Sequence, residues 1–305
     1  MPNVNINVLR RIYGDSNFAT KVNLGGITIY ERIVETSSYD TATQALLDQA
    51  TTDGYTAPSG TTLTALDTFI TTLKSTGIWA LCDVIYLPAT NGDSDFACYN
   101  LKNPATFKLT KVNSPTFTSL QGFTGNGSSS YLNTGWNPST NGVNYTLNSA
   151  SLGGYARTDN TDGTQRVLIG VTDATGFTQF TPKLSTTAFL WGFQRINNAG
   201  VNFKSYNGIT NANGFYNSNR FGSGANDLNL YRNGSSLTVN QNGSIPSTNV
   251  PNNNVYLLAS NNNGTAAGFS REQLSFAYFG ADLTAQASSF YSAIQTYMTT
   301  LGTNV

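Results

Sequence analysis

The chain has 305 residues, 39% of them hydrophobic and 12% aromatic, enough for a sizeable core in one large domain or two small ones. Only 10% are charged, the net charge is zero and the pI is about 6.2, so the basic stripe that nucleic-acid binding needs is missing. No apolar run approaches the roughly 20 residues of a membrane span, which argues against membrane insertion by a helix.

Residues 1–38 carry no helical period. VNINVL and GGITIYERIV can form strands but stand apart from the later β segments. Val4, Ile6, Val8, Leu9, Ile12, Ile27, Ile29 and Ile33 need cover from a partner, so this part reads as an extended anchoring arm. MPNVNINVLRRIYGDSN lacks the apolar stretch of a signal peptide, and folding in a cytoplasm is expected. In that compartment Cys82 and Cys98 are expected as two buried thiols rather than a disulfide.

Residues 39–80 read as a helical hairpin. Ala42, Ala45, Leu46 and Ala50 share one face of a helix over 40–53. Leu63, Leu66, Phe69, Ile70 and Leu73 follow amphipathic spacing over 62–76. Gly54 and Gly77 fit the C-terminal stops.

From residue 81 to 282 the period changes to two. ATFKLTKV alternates Phe107 and Leu109 with polar neighbours. Over 226–242, Leu228 and Leu230 precede Asn233-Gly234, and Leu237 and Val239 follow it, a strong hairpin signal. NVYLLAS and EQLSFAYFG add strands, and RVLIGV and TAFLWGF read as buried ones. Turn clusters rich in Asn, Gly, Ser and Thr recur between them, as in a β-sandwich or barrel. Five Asn-x-Ser/Thr sites, at Asn126, Asn144, Asn233, Asn242 and Asn263, read as turns rather than glycan acceptors. Residues 283–305 close the chain with a helix over 284–301, whose Ala287, Phe290, Ile294 and Leu301 pack on the body.

The chemistry is defined mostly by what is lacking. There is no His, which removes the Ser-His-Asp and Cys-His arrangements and the commonest general base. Glu occurs only at Glu31, Glu35 and Glu272, so the β region cannot hold the paired Glu residues of a glycosidase strand motif. The loop pairs Asp93/Asp95 and Asp159/Asp162 are weak candidates for calcium and lack a full binding-loop signature. No cofactor is otherwise expected. Trp136, Tyr155 and Tyr216 sit among Asn and Gly. With Asp159 they form the candidate ligand site, in which aromatic stacking and amide hydrogen bonds would hold a sugar. The competing reading is that these aromatics are core. Trp79 and Trp191, inside apolar runs, read as core.

The stretch FACYNLKNPATFKLTKVNSPTFTSLQGFTGNGSSSYLNTGWNPST resembles the front of a domain common in tailed-bacteriophage structural proteins. LYRNGSSLTV resembles a hairpin of laminin-G-like jelly rolls, and LSFAYFGADLTAQASSFYSAIQTYMTTLG resembles the phage family's closing strand, turn and helix. The helical hairpin ending in GIWALCDVIYLP matches the segment ahead of that domain, so the resemblance covers roughly residues 60–302. It implies a mainly β, concanavalin A-like (laminin-G-like) jelly-roll sandwich with an N-terminal arm, a small helical hairpin and a C-terminal helix. It further implies a non-enzymatic virion structural protein: a capsid decoration, head-fibre or tail-associated component. Its partners would be other virion proteins and sister subunits, as a homodimer or homotrimer, and a host-surface glycan is a possible ligand. A receptor-binding lectin module of a tail fibre is the alternative reading. A glycan hydrolase ranks third because of the missing carboxylate pair.

Overall fold

The strand Gln273–Gly280, QLSFAYFG, is buried along its whole length because it carries apolar side chains on both faces. Ala277 and Phe279 enter one core while Phe276 and Tyr278 enter another. Successive strand side chains point to opposite faces, so such a strand must be covered on both sides. A bulge between Leu274 and Phe276 turns Leu274 onto the Ala277 side.

The computed structural model describes residues 21–24, 27–30, 39–159, 166–185, 190–200, 202–242 and 244–305. The chain divides into two compact units, Met1–Asp40 and Thr41–Val305. The larger unit is a mainly β sandwich of two sheets with helices against one of them. Among the described residues, one sheet runs Ser235–Ser236, Leu228–Arg232, Gly214–Arg220, Ala150–Ala156, Gln273–Gly280, Gly122–Thr124, Thr116–Thr118, and Cys82–Tyr86 also pairs with Gln273–Gly280. The other runs Val239–Asn242, Lys204–Asn207, Leu190–Asn198, Phe177–Ser185, Ile169–Thr172, Tyr256–Leu257, Tyr131–Asn133, Thr110–Val112. Ser260–Asn262 adds to Ile169–Thr172 in parallel and pairs with Thr265–Ala267; the remaining pairings are antiparallel. The sheets meet through such contacts as Phe180 on Tyr216, with ring centroids 5.1 Å apart.

Close approach of the central strands demands glycine at Gly153. A Cβ on Gly153 would lie 2.1 Å from the carbonyl oxygen of Tyr216 on the neighbouring strand.

The outer face of the first sheet is covered by α1 (Thr41–Asp53), α2 (Gly60–Ser75) and, after a short α3 (Ile78–Leu81) and α4 (Pro138–Asn141), the C-terminal α5 (Ala287–Thr300). The three long helices lie within a few residues of the positions their apolar spacing predicts. Phe69 of α2 meets Phe276 edge-on at 5.8 Å, and Phe290 of α5 lies 4.7 Å from Tyr278. Each buried aromatic of this kind contributes on the order of 2–3 kcal/mol. The loop between α1 and α2 is clamped to the body by Asp93, whose carboxylate accepts the Thr56 N–H at 2.6 Å while the Asp93 N–H donates back to the Thr56 carbonyl at 2.9 Å.

Three expectations need correction. The strand expected across ATFKLTKV is confined to Thr110–Val112, since Phe107 takes a left-handed conformation with φ 54° and turns the chain there. The Asn233-Gly234 turn forms as read, with φ 51° and 75°, and joins Leu228–Arg232 to Ser235–Ser236. The hairpin then stops, and Val239–Asn242 crosses to pair with Lys204–Asn207 in the other sheet. The physical reason is cover: Leu237 and Val239 pack against the core between the sheets, at an edge a continuing hairpin would leave open. In GIWALCDVIYLP, Gly77 caps α3 and the strand Cys82–Tyr86 follows directly, close to the boundary at residue 81 read from the sequence. Trp79, read as core, is only half-buried at the surface of the helix-side cluster, with the ammonium groups of Lys74 and Lys102 5.2 and 4.9 Å from its ring centre. The side chain of Trp191 lies outside the described residues. So does most of the arm at 1–38, in which Lys21–Leu24 and Ile27–Tyr30 pair antiparallel with Val22 opposite Ile29.

Candidate functional site

The aromatic platform expected from the sequence does not form, because its members are core residues. Trp136 is 1% exposed, stacks on Phe279 at 5.2 Å and 21°, and meets Tyr145 edge-on at 5.6 Å. Its indole N–H has no hydrogen-bond partner among the described residues. Tyr155 belongs to the helix-side cluster, and its hydroxyl accepts the Val305 N–H at 2.8 Å. Tyr216 lies in the core between the sheets with the Arg232 guanidinium 5.7 Å from its ring centre, and burial pushes its phenol well above the ordinary value. Asn and Gly next to these aromatics suggested exposed loops. In the fold, those residues are turns and strand positions laid over apolar side chains.

Asp159 is also committed. Its carboxylate pairs with Lys183 at 2.6 Å, and its other oxygen accepts the Ala212 N–H at 2.7 Å. Asp162 lies outside the described residues. Asp95 pairs with Lys111 at 2.9 Å, and Asp93 accepts the N–H groups of Asp95 and Phe96 as well as that of Thr56. These are turn-stabilising roles, and no group of three metal-ligating side chains forms among the described residues.

A different set of residues converges. The turn after Ile169–Thr172, the loop before Tyr256–Leu257 and the Asn263-Gly264 turn meet beside α4 around a cleft of about 440 Å³. Asp173 builds it. One carboxylate oxygen accepts the Thr175 N–H at 2.7 Å, the Thr175 hydroxyl at 2.9 Å and the Gly176 N–H at 2.7 Å. The other accepts the Asn252 N–H at 2.6 Å. Asp-x-Thr-Gly is a turn former because a short carboxylate can bond backbone two and three residues ahead. Burial pushes the Asp173 carboxyl up, but the N–H groups of Asn252, Thr175 and Gly176 and the Thr175 hydroxyl outweigh it and hold it below its ordinary 3.8. Asn137 donates to Asn252 at 2.9 Å, Asn249 donates to the Thr175 hydroxyl, and Asn253 donates to the Thr172 carbonyl at 3.3 Å. These bonds fix the loops yet leave the second polar atom of the Asn249, Asn252 and Asn253 amides, the Asn263 amide and the Ser139 hydroxyl bonded to no protein group among the described residues.

Chemically, this cleft can hold hydroxyl groups. An amide offers both a donor and an acceptor, as a sugar hydroxyl does. Its single carboxylate accepts four hydrogen bonds from the loops and is held ionised by them. Residues 252–254 form a loop, as a run of Asn suggests, whereas Asn261 and Asn262 of the run at 261–263 lie in the strand Ser260–Asn262 and only Asn263 is in a turn. The meeting of these runs with Asp173 was not legible in the sequence, because it depends on long-range strand pairing rather than on local spacing.

No family model matches the chain, and no curated protein matches it. Among solved structures, the binding domain of botulinum neurotoxin serotype G is similar over 70% of this chain and 51% of that chain, at 11% identity and a TM-score of 0.47. The serotype D binding domain is similar over 71% and 51%, at 8% identity and 0.44. A mutant of Trypanosoma rangeli sialidase displaying trans-sialidase activity is similar over 77% and 39%, at 10% identity and 0.44. The chain thus spans about half the length of the toxin domains and less of the sialidase. Likeness at this level assigns neither ligand nor activity.

Proposed function

We propose that this chain is a non-enzymatic, carbohydrate-binding display protein of a bacteriophage virion. The observation that supports the binding reading is the Asp173–Asn252 cleft, in which amide and hydroxyl groups stand on loops already locked by hydrogen bonds. Loops fixed before binding lose little entropy when a ligand arrives. Glycoside hydrolysis needs two carboxylates on either side of the bond, one of them protonated. The cleft is lined by one, held ionised, which supports binding without turnover.

The virion setting is supported by the resemblance of residues 60–302 to phage structural proteins. On this reading the arm at 1–38 anchors the protein to other virion proteins or to sister subunits, as a dimer or trimer. A receptor-binding lectin of a tail fibre is the second reading, favoured by the same cleft. The test is a glycan array. Micromolar binding that Asn253→Ala and Asn263→Ala each weaken supports the lectin role. Silence across the array leaves decoration or scaffolding and overturns the binding claim. A chain beginning at residue 39 tests the arm: it should fold but lose assembly.

A further inference from the structure

We infer that the Asn-rich cleft takes an uncharged glycan and refuses acidic ones, such as sialylated or uronate-containing chains. The inference rests on the carbohydrate-binding reading of that cleft. Asp173 contributes a negative charge to the lining, and the hydrogen bonds from Thr175, Gly176 and Asn252 keep that charge in place. The other polar lining groups, on Ser139, Thr175, Asn249, Asn252, Asn253 and Asn263, are neutral. No Lys or Arg lines the cleft. A carboxylate entering it would shed water without gaining a cationic partner, and it would sit beside a like charge. Carboxylates are ordinarily recognised by the paired donors of an Arg fork, which this lining lacks. Sugar hydroxyls meet no such penalty, because Asn side chains can both donate to them and accept from them.

The test uses an array of matched neutral, sialylated and uronate-containing oligosaccharides, probed with the full chain and with Ala174→Arg. Ala174 is exposed, lines the cleft and lies next to Asp173, so the substitution adds a cation without disturbing the core. The expected result is that neutral sugars bind at least tenfold more tightly than their acidic counterparts, and that Ala174→Arg narrows the gap. An acidic sugar that binds as tightly as its neutral counterpart, with Asn253→Ala abolishing both signals, overturns the inference while leaving the binding reading intact. Absence of binding by every sugar overturns the binding reading, and this inference falls with it.

Discussion

The carboxylate of Asp173 accepts the backbone N–H of Asn252 at 2.6 Å, joining two loops 79 residues apart in the chain. The same carboxylate closes its own turn through Thr175 and Gly176. One side chain therefore shapes the cleft and ties its two walls together.

Replacing Asp173 by Ala should cost about 1–3 kcal/mol in urea unfolding, since several charge-assisted hydrogen bonds go at once. It should weaken glycan binding by at least tenfold. Loss of stability with unchanged affinity would show that the clasp does not organise the site.

Acid should loosen both loop clasps. The carboxyls of Asp173 and Asp93 lie below their ordinary 3.8 in the folded chain: burial pushes each up, and hydrogen bonds from backbone N–H groups outweigh it. A depressed carboxyl stabilises the fold fully above its unfolded value and loses that contribution as pH falls through the folded value. Urea midpoints should therefore be level from neutral pH to about pH 5 and decline below about pH 4. Asp93→Asn should lower the neutral-pH midpoint and flatten the decline, and an unchanged acid slope in that variant would remove Asp93 from the account.

Trp136→Ala should destabilise the protein by about 3–5 kcal/mol, because it removes the ring stacked on Phe279 and leaves a cavity. Differential scanning calorimetry would show the fall in Tm. A variant with unchanged Tm and lost glycan binding would restore the sugar-platform role that burial of Trp136 argues against.

The contrast between Trp136 and the Asn-rich loops marks what the sequence reveals. Helix positions followed from Leu66, Phe69 and Ile70 at amphipathic spacing, and the Asn233-Gly234 turn followed from its two residues, because these are local signals. EQLSFAYFG reads as a strand from its residues, but its burial on both faces depends on the helices that cover the second face and is not a local signal. Strand partners were not local. Val239 fits either sheet by its alternation, and only the open edge of the core decides which one it joins. The site was missed for the same reason: Asp173, Asn252 and Asn263 meet only after the sheet containing them has formed. For Trp136 the sequence leaves platform and core both open, and burial decides for core, because polar sequence neighbours say where the turns lie, not which way the indole points.

Both thiols should be silent in the folded protein. Cys82 and Cys98 are buried, and burial pushes each thiol up to about 12, so little thiolate exists at pH 8. An aromatic disulfide reagent should react with neither in native buffer and with both in denaturant. Fast native labelling of either would contradict the burial of Cys82 or of Cys98.

Gly153→Ala should be among the most damaging single-methyl additions. Its Cβ would meet the Tyr216 carbonyl oxygen at 2.1 Å, so the strands Ala150–Ala156 and Gly214–Arg220 would have to part. A loss of about 3 kcal/mol is expected in urea unfolding, and a neutral effect would mean that these strands are not held in the register described.

The claim that a glycan occupies the cleft between Asp173 and Asn252 is tested most directly by a two-dimensional amide NMR titration of the full chain with a neutral oligosaccharide taken from the array. The predicted result is saturable shifts confined to the amides of residues 173–176, 249–253 and 263, with the signals around Trp136, Tyr155 and Tyr216 unmoved. Saturable shifts elsewhere on the sandwich, with these loops silent, would contradict it.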